Sequence, residues 1–444
     1  MGSSGCAPET RAGLGRDRFE HRGAKRGLTR GERASGNLTA LLGSGWRWLQ
    51  SCPDSAGAGA FSLQLDLGYE PRPRPHVRGS SGFGVSRHTR HGGRSGAEGE
   101  GGPILNSSSW VVVGLDNGGT ANSATVLEES GRFLVDRLLE SPSRVREGPE
   151  VAIEALVGSL DGVLSLTGVE RESVRAIGLG TPGPASPDGV ISSKGATNFS
   201  EPPWRGFDIR GALERRVGVP VIYNNDGNAA ALYAHHTHFG ESWASHSSVS
   251  AIVGTGLGGG VIEAGHVIRG AAGMAGELGH VHIPMEGLLA EGQPVPRCNC
   301  GFLGDVESVA SLTGIEQNLL PYWLTRFPDH ELAGKGSLAQ AAKLVRTYAD
   351  SQDPLALEIF AQQAMAIGRL FTIASNFVDP GAYFVGGGVV EASPRFREWF
   401  LTRVREHTFL REEQREVATF ALIANLDMAG ARGAALAAFD SLDA

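Results

Sequence analysis

From about Ser109 onward, apolar residues recur with the two-residue period of strands or the three-to-four-residue period of helices. Two stretches, residues 111–127 and 250–264, share one pattern: an apolar run, a glycine-rich turn and a second predicted strand. The turns read Asn117-Gly-Gly-Thr120 and Gly254-Thr-Gly-Leu-Gly-Gly-Gly260. Glycine supplies the positive φ angles that tight hairpin turns need. The repetition indicates a duplicated domain.

Helices and strands are predicted to alternate along the rest of the chain, which is typical of an α/β protein. The predicted helices span residues 151–164, 208–217, 228–235, 355–377 and 429–439, and the predicted strands span residues 174–179, 219–223 and 382–385. Asp208 is expected to cap the second helix. We interpret His235, His236 and His238, near the end of the third helix, as a solvated face rather than a set of metal ligands.

The residues before Ser109 differ in composition from the rest of the chain. They contain fifteen lysines and arginines against nine acidic residues, are rich in glycine, serine and proline, and show little apolar periodicity. Such a composition cannot bury enough apolar surface to offset the entropy of ordering, so we predict that residues 1–108 are mostly disordered. They are either a genuine tail or an extension that precedes the true start codon. We find neither a secretory signal nor the roughly 20 consecutive apolar residues of a membrane span.

Composition limits the possible classes of protein. The chain has 444 residues, 41% of them hydrophobic, which predicts at least two domains with substantial cores. The net charge of −8 gives no indication of a general nucleic-acid-binding protein. Four cysteines, two of them before Ser109, are too few for a disulfide framework, and they fit a reducing cytoplasm best.

The two glycine-rich turns are candidates for phosphate binding. Backbone N–H groups in such turns can converge on an anion, so two turns that face one cleft would hold a polyphosphate chain. Either turn alone is more simply an ordinary hairpin tip, but the pair, each with its threonine, favours phosphate binding. Residues 254–259 also satisfy the spacing of the dinucleotide-binding fingerprint, but a strand is predicted after them where that motif requires a helix.

Asp226 follows Asn224 and Asn225 at the junction of a predicted buried strand and a helix. Ligands of open α/β sheets collect at the carboxyl ends of strands. A carboxylate in that place can accept the proton of a substrate hydroxyl that attacks a phosphoryl group. Asp226 could instead only cap the following helix. The two phosphate turns in the same chain favour the general base.

A second group of reactive side chains follows the second hairpin. Glu277 and His280 precede the pair Cys298-Asn-Cys300, and Asp305 comes five residues after the second cysteine. Imidazole, thiolate and carboxylate are the ligand types that zinc takes. The pattern is moderately specific, because Cys-x-Cys is closer than the commonest finger spacing. The alternative is two reduced thiols in a loop.

These motifs occur in the order found in ROK family sugar kinases, which the chain resembles from about Trp110 to Asp440. The motifs are Asp116-Asn-Gly-Gly-Thr120, Gly180-Thr-Pro-Gly-Pro184, Thr197-Asn198, Asn225-Asp226-Gly-Asn-Ala-Ala-Ala231, Gly254-Thr-Gly-Leu-Gly-Gly-Gly260, Gly276-Glu-Leu-Gly-His280 and Cys298-x-Cys300-Gly. The resemblance implies the α/β two-domain actin-like ATPase (ribonuclease H-like) fold, with a cleft between the domains. We therefore expect an N-terminal domain over residues 109–235, completed by the C-terminal helix of residues 429–444. A C-terminal domain with the zinc loop would cover residues 236–428.

The resemblance also implies the roles of individual residues. Asp226 would be the general base, and the sugar-binding residues would be Asn198, Asn225, Asp226, Glu277, His280 and Glu307. Asp116 would be the Mg²⁺-associated carboxylate, and the other residues at the ATP site would be Gly118, Gly119, Thr120, Thr255, Gly256, Gly258, Gly386 and Gly387. A structural zinc would be held by His280, Cys298, Cys300 and Asp305. Because Asp305 stands where the family pattern has a cysteine, weaker or absent metal is an equal alternative.

The function implied by the resemblance is ATP-dependent phosphorylation of the 6-hydroxyl of a hexose, with glucose the default. Kinases of N-acetylmannosamine or N-acetylglucosamine are the alternatives, and polyphosphate is a conceivable donor. A sugar-responsive transcription regulator is the other class, but the residues before Ser109 lack a winged helix-turn-helix pattern. We expect a cytoplasmic homodimer or larger homo-oligomer, with no specific nucleic acid and no membrane among its partners.

Overall fold

A computed structural model describes residues 109–183, 185–191, 199, 201–423 and 426–442. The disorder predicted for residues 1–108, and the sugar-binding role expected for Asn198, lie outside these described residues. The described part of the chain forms two five-stranded mixed sheets with helices packed on them.

The first sheet has the strand order β3-β2-β1-β4-β5. Its strands are β1 (Val111–Asn117), β2 (Ala121–Glu128), β3 (Leu139–Pro142), β4 (Val174–Thr181) and β5 (Val221–Asn225). Strands β1, β4 and β5 are parallel, so the residues that follow them meet at one edge of the sheet. The helices α1 (Pro149–Thr167) and α2 (Ile209–Val217) pack on this sheet. Asp208 caps α2, because its Oδ1 accepts a hydrogen bond from the Gly211 N–H (2.7 Å).

The second sheet has the strand order β10-β9-β6-β7-β8 and repeats the hairpin of the first. Its strands are β6 (Ser248–Val253), β7 (Leu257–Glu263), β8 (His266–Val267), β9 (Ala382–Gly387) and β10 (Thr419–Leu422). The other helices of this half are α4 (Leu312–Gly314), a π-helical turn (Ile315–Leu319), α5 (Leu320–Arg326), α6 (Leu338–Asp350), α7 (Pro354–Phe377), α8 (Pro394–Glu406) and α9 (Glu412–Val417). The apolar side chains of these helices, apart from α9, form one large core with β6 and β9.

Two helices lie between the sheets. The helix α10 (Ala429–Asp440) packs on β1 and β4, α3 (Asp226–Phe239) packs on β7, and the two helices contact each other. Glycines allow this close packing: a Cβ on Gly178 would overlap the Ala434 carbonyl, and one on Gly433 would overlap the Ala229 carbonyl. The first residues of both helices therefore lie where the two halves of the molecule face each other.

Each helix and strand predicted from the pattern has a counterpart in the structure, with bounds that differ by a few residues. The second glycine turn is shorter than predicted, because β7 begins at Leu257 and Gly258 lies within it. The interpretation of the histidines as a solvated face is wrong for His235. Its ring is buried and bonds the Ser248 hydroxyl (2.8 Å) and the Trp243 carbonyl (2.9 Å). Among the described helices, none combines the length and the apolar character of a bilayer-spanning segment.

Candidate active site

A cleft of about 570 Å³ is lined by both halves of the molecule. The predicted site residues that line it are Asp116, Asp226, Thr255, Gly256, Gly258 and Glu307. They come from the end of β1, the first turn of α3, the second hairpin and the loop before α4. Gly118, Gly119, Thr120, Gly386 and Gly387 are not among its lining residues.

Asp116 lies near the end of β1 in a space that Gly430 leaves open. A Cβ on Gly430 would overlap the Asp116 carboxylate. Burial, followed by the charge of Asp226, raises the pKa of Asp116 to about 7. Both causes disfavour the ionised form, so a cation placed beside Asp116 would restore its negative charge.

Asp226 is the first residue of α3, but the helix is capped by its neighbour. Asn225 Oδ1 accepts a hydrogen bond from the Asn228 N–H (2.8 Å), while Asp226 Oδ1 accepts one from the Gly227 N–H (2.8 Å). The capping role is therefore filled by Asn225. Desolvation within the cleft raises the pKa of Asp226, and a carboxylate with a raised pKa is a better proton acceptor at neutral pH.

A second cavity contains two of the predicted sugar-binding residues. Asn225 Nδ2 lies 3.5 Å from Glu277 Oε1, and both residues line the cavity with Tyr223 and Arg269. Burial raises the pKa of Glu277 and lowers that of Arg269. The sequence did not single out Arg269, because an isolated arginine after a two-residue strand belongs to no recognisable motif.

The two glycine turns are held by different contacts. In the first, the Gly118 N–H donates to the Ala121 carbonyl (2.9 Å), which closes the hairpin two residues after Asp116. In the second, Glu307 Oε2 accepts a hydrogen bond from the Leu257 N–H (2.9 Å). A Cβ on Gly256 would lie 2.5 Å from that oxygen, so the close approach of Glu307 requires glycine.

The predicted metal ligands form one cluster. Nδ1 of His280 lies 3.2 Å from Asp305 Oδ2 and 3.8 Å from Cys298 Sγ, and Cys300 Sγ lies 3.6 Å from the same Asp305 oxygen. The four ligand atoms are within 4.8 Å of one another. Zinc binds sulfur at about 2.3 Å and nitrogen or oxygen at about 2.0–2.2 Å, so one ion reaches all four after small side-chain movements. The residues present therefore fit a zinc ion.

A third cavity, of about 390 Å³, shares Gly254 and Thr255 with the cleft. Its wall combines the apolar side chains of Ile315 and Val389 with the basic residues Lys343 and Arg346. Sequence reasoning missed these residues, because they come from segments far apart in the chain and α6, which carries the two basic ones, was not predicted.

Gly386 and Gly387 end β9 next to this cavity, and Gly388 lines it. Gly387 has a φ of 96°, and a Cβ on it would overlap the Val253 carbonyl. Arg346 Nη1 donates to the Gly388 carbonyl (2.8 Å). The glycines therefore let the end of β9 lie directly against β6, which places the backbone of the following turn in the wall of the third cavity.

Known proteins are similar to this chain in sequence and in fold. The chain is 33% identical to a glucokinase of Halalkalibacterium halodurans over 311 residues, which are 68% of this chain and 86% of the relative. The crystal structure of a ROK hexokinase from Thermus thermophilus matches with a TM-score of 0.59 at 32% identity, and covers 75% of this chain and 99% of its own. A Streptomyces griseus ROK glucokinase, solved with glucose and AMPPNP, matches with a TM-score of 0.55 at 28% identity, and covers 74% of this chain and 99% of its own.

The similarity extends over nearly all of the described residues. The sequence profile of the ROK family matches residues 112–440, which include both sheets, the cleft and the Cys/His cluster. The predicted α/β actin-like ATPase fold is confirmed by the structural matches. The chain therefore belongs to the ROK family and has the fold of its sugar kinases.

Proposed function

We propose that this chain transfers the γ-phosphoryl group of ATP to the 6-hydroxyl of glucose. The observation that carries the proposal is the Asp226 carboxylate, whose pKa is raised by desolvation and which shares one cleft with Asp116 and the second glycine turn. The glucokinase relative supports glucose as the sugar, and the AMPPNP bound to the Streptomyces griseus enzyme supports ATP as the donor.

Asp226 acts as the general base of the reaction. Its carboxylate accepts the proton of the 6-hydroxyl while the sugar oxygen forms a bond to the γ-phosphorus. The bond between that phosphorus and the β–γ bridging oxygen breaks, and ADP leaves with the electron pair. Little covalent chemistry is left to the protein, so catalysis comes from positioning and from electrostatic stabilisation of the moving phosphoryl group.

The sugar lies beside the start of α3. Asn225 and Glu277, which approach each other to 3.5 Å, hold its hydroxyls together with Asn198, His280 and Glu307. Asn225 Oδ1 accepts the capping hydrogen bond from the Asn228 N–H, so the Nδ2 group of Asn225, which also contacts Glu277, is the part that donates to a hydroxyl of the sugar. The position of Asn225 directly before Asp226, and its contact with Glu277, support a sugar whose reacting hydroxyl points into the cleft.

The nucleotide extends from the cleft into the third cavity. Gly118, Gly119 and Thr120 of the first turn, with Thr255, Gly256 and Gly258 of the second hairpin, hold its phosphates. Adenosine occupies the third cavity beside Gly386 and Gly387, where Ile315 and Val389 provide apolar contact. Asp116 would hold Mg²⁺, which would neutralise charge on the phosphates. Its positive charge would lower the pKa of Asp116 and keep that carboxylate ionised.

The Cys/His cluster would hold a structural zinc ion. His280, Cys298, Cys300 and Asp305 would be its ligands, and a bound ion would fix the loop so that His280 and Glu307 present their remaining atoms to the sugar. Nδ1 of His280 faces the cluster, which leaves Nε2 for a hydroxyl of the substrate.

We further propose the two domains inferred from the sequence, residues 109–235 with 429–444 and residues 236–428. The packing of α10 on β1 and β4 supports this assignment of the C-terminal helix. The enzyme would work in the cytoplasm as a homodimer or larger homo-oligomer, without a nucleic-acid or membrane partner.

A coupled assay over glucose, mannose, N-acetylglucosamine and N-acetylmannosamine, each with ATP or polyphosphate, tests the proposal. We expect the highest kcat/KM with glucose and ATP, and for Asp226→Asn a turnover at least about a hundredfold lower. A higher kcat/KM for an N-acetylated sugar would show that this sugar, and not glucose, is the preferred substrate. Binding of sugar without phosphorylation by any donor would favour a regulator over a kinase.

A further inference from the structure

The second cavity, which Asn225 and Glu277 line, is small. Its volume is about 20 Å³, which leaves room for a group of about the size of one water molecule. Asn225 lines this cavity, and Asp226, the next residue, lines the cleft. The two spaces therefore adjoin at the start of α3. A sugar ring that lies between them extends a single small substituent into the second cavity.

Arg269 also lines the second cavity, and its guanidinium makes neither a hydrogen bond nor an ion pair with any described residue. The residue as a whole is exposed, yet desolvation of its side chain lowers the pKa of Arg269, and no neighbouring charge counteracts this. A guanidinium has several N–H donors and no acceptor. A partly desolvated donor without a partner gains free energy when a ligand supplies an acceptor oxygen.

The loop between β8 and Glu277 positions Arg269. The Ala275 N–H donates a hydrogen bond to the Arg269 carbonyl (3.2 Å), which closes the loop on itself. Gly273 has a φ of 73°, and a Cβ on it would lie 2.9 Å from the Pro187 nitrogen. This loop of the second half of the molecule therefore meets the turn after β4 of the first half. Arg269, Gly273 and Pro187 all line the second cavity.

The proposed reaction sets the orientation of the sugar, because its 6-hydroxyl must reach Asp226 in the cleft. In a pyranose ring, carbon 2 lies across the ring from carbon 5, which carries the 6-hydroxymethyl group. The substituent at carbon 2 therefore points away from Asp226 and toward the second cavity. A hydroxyl group fits this small space and offers Arg269 an acceptor oxygen. An acetamido group at the same carbon is several times larger than the space allows.

We propose that Arg269 is a specificity-determining residue, which donates a hydrogen bond to the 2-hydroxyl of the sugar. The small cavity that Arg269 lines with Met274 excludes a 2-acetamido group. This inference rests on the proposed function, and it names the part of the site that separates glucose from the N-acetylated sugars. A site built to hydrogen-bond a substrate hydroxyl strongly rejects the analogue that lacks it.

Steady-state kinetics of the full chain with ATP and either glucose or 2-deoxyglucose test the role of Arg269. Loss of the 2-hydroxyl should lower the kcat/KM of the wild-type chain by about 10–100-fold, the range for a hydrogen bond to a charged group. Arg269→Met removes the donors, so kcat/KM should fall for glucose but hardly for 2-deoxyglucose, and their ratio should approach one. Arg269→Lys keeps a donor and should retain part of the ratio. Arg137→Met is the matched control, because Arg137 is exposed in the segment before β3, and it should change neither value.

The size of the cavity is tested with N-acetylglucosamine. Met274→Ala widens the second cavity and keeps Arg269. The ratio of kcat/KM for N-acetylglucosamine to that for glucose should rise at least about tenfold, since a few methylene groups in a pocket change specificity by that much. Circular dichroism on each variant shows whether it folds, and the two substitutions test the inference independently.

An equal ratio of glucose to 2-deoxyglucose in the wild-type chain and in Arg269→Met would overturn the inference. An unchanged preference of Met274→Ala for glucose over N-acetylglucosamine would also overturn it. A chain that phosphorylates none of these sugars contradicts the proposed function alone. Calorimetric dissociation constants for glucose and 2-deoxyglucose, measured without ATP on the wild-type chain and Arg269→Met, then test Arg269 by the same comparison.

Discussion

The carboxylate of Glu307 accepts a hydrogen bond from the backbone N–H of Leu257, over a distance of 2.9 Å. Its other oxygen accepts one from the Cys298 thiol (3.3 Å). Glu307 therefore links the second glycine turn to the Cys/His cluster. The sequence predicted only that Glu307 holds sugar hydroxyls. Because Leu257 follows directly after the turn, Glu307 helps to position the backbone expected to bind phosphate.

This link predicts different effects for two substitutions of Glu307. Glutamine keeps one acceptor oxygen for the Leu257 N–H, whereas alanine removes it. We expect Glu307→Ala to raise the KM for ATP and for glucose, and Glu307→Gln to raise mainly the KM for glucose. Steady-state kinetics with each substrate varied in turn would measure both. An unchanged KM for ATP in Glu307→Ala would show that the turn keeps its shape without this bond.

Asp226→Asn preserves the shape of the side chain but removes the proton acceptor. General base catalysis contributes about 10²–10⁴-fold, so kcat should fall by at least about a hundredfold while glucose binding, measured by calorimetry, is largely retained. Asp208→Asn is the matched control, because Asp208 caps α2 and asparagine caps equally well. Turnover above roughly a tenth of the wild-type value would contradict the assignment, given that range.

Asp116 should lower the stability of the ligand-free protein at neutral pH. Its pKa in the folded state, about 7, lies above the ordinary value of 3.8. Folding therefore favours the protonated form, and stability falls as the pH rises from about 4 to about 7. Asp116→Asn cannot ionise and should raise Tm by a few degrees at pH 8, with little change at pH 4, while it lowers kcat.

Thermal unfolding without nucleotide or Mg²⁺, followed at several pH values, would measure this effect. Asp188→Asn provides the control, because Asp188 is exposed and should leave Tm unchanged at every pH. If Asp116→Asn lowers Tm at pH 8, the Asp116 carboxylate makes a stabilising contact and the predicted sign is wrong.

Removal of the metal should weaken sugar binding more than catalysis. With an aspartate in place of one thiolate, the site should release zinc to a chelator, and the KM for glucose should then rise more than kcat falls. Asp305→Cys should slow the release of zinc. His282→Ala is the control: His282 lies beside the cluster but outside it, and its substitution should not slow the release. Elemental analysis of gently purified protein gives the zinc content. Absence of zinc, with no response of activity or Tm to added zinc, would disprove the structural metal.

A chain that begins at Asn106 should fold and keep its activity. The family match starts at residue 112, and Trp110, whose ring lies 5.4 Å from that of Phe439, is retained. Circular dichroism and the coupled assay would compare the shortened and full chains. Loss of activity, or a sequence-specific DNA affinity that disappears with residues 1–105, would instead favour the regulator.

Several local features of the protein followed from the sequence alone. The apolar periods predicted helices and strands, such as α7 and β9, because a helix or strand that buries one face must repeat apolar residues at its own period. The spacing of Cys298, Cys300 and Asp305 predicted a cluster, because residues so close in the chain meet within one loop. The ordered motifs predicted the family, and the family profile and structural matches agree.

Only the tertiary structure decided which distant residues share a site. The contact of Glu307 with Leu257 and the placement of Lys343 and Arg346 in the third cavity depend on segments far apart in the chain. The burial of His235 was missed for the same reason: its partners, Ser248 and the Trp243 carbonyl, belong to the segment that folds back onto α3. The apolar period shows on which face of its helix or strand a residue lies. The burial of that residue, its pKa and its hydrogen-bond partners depend on what packs against that face.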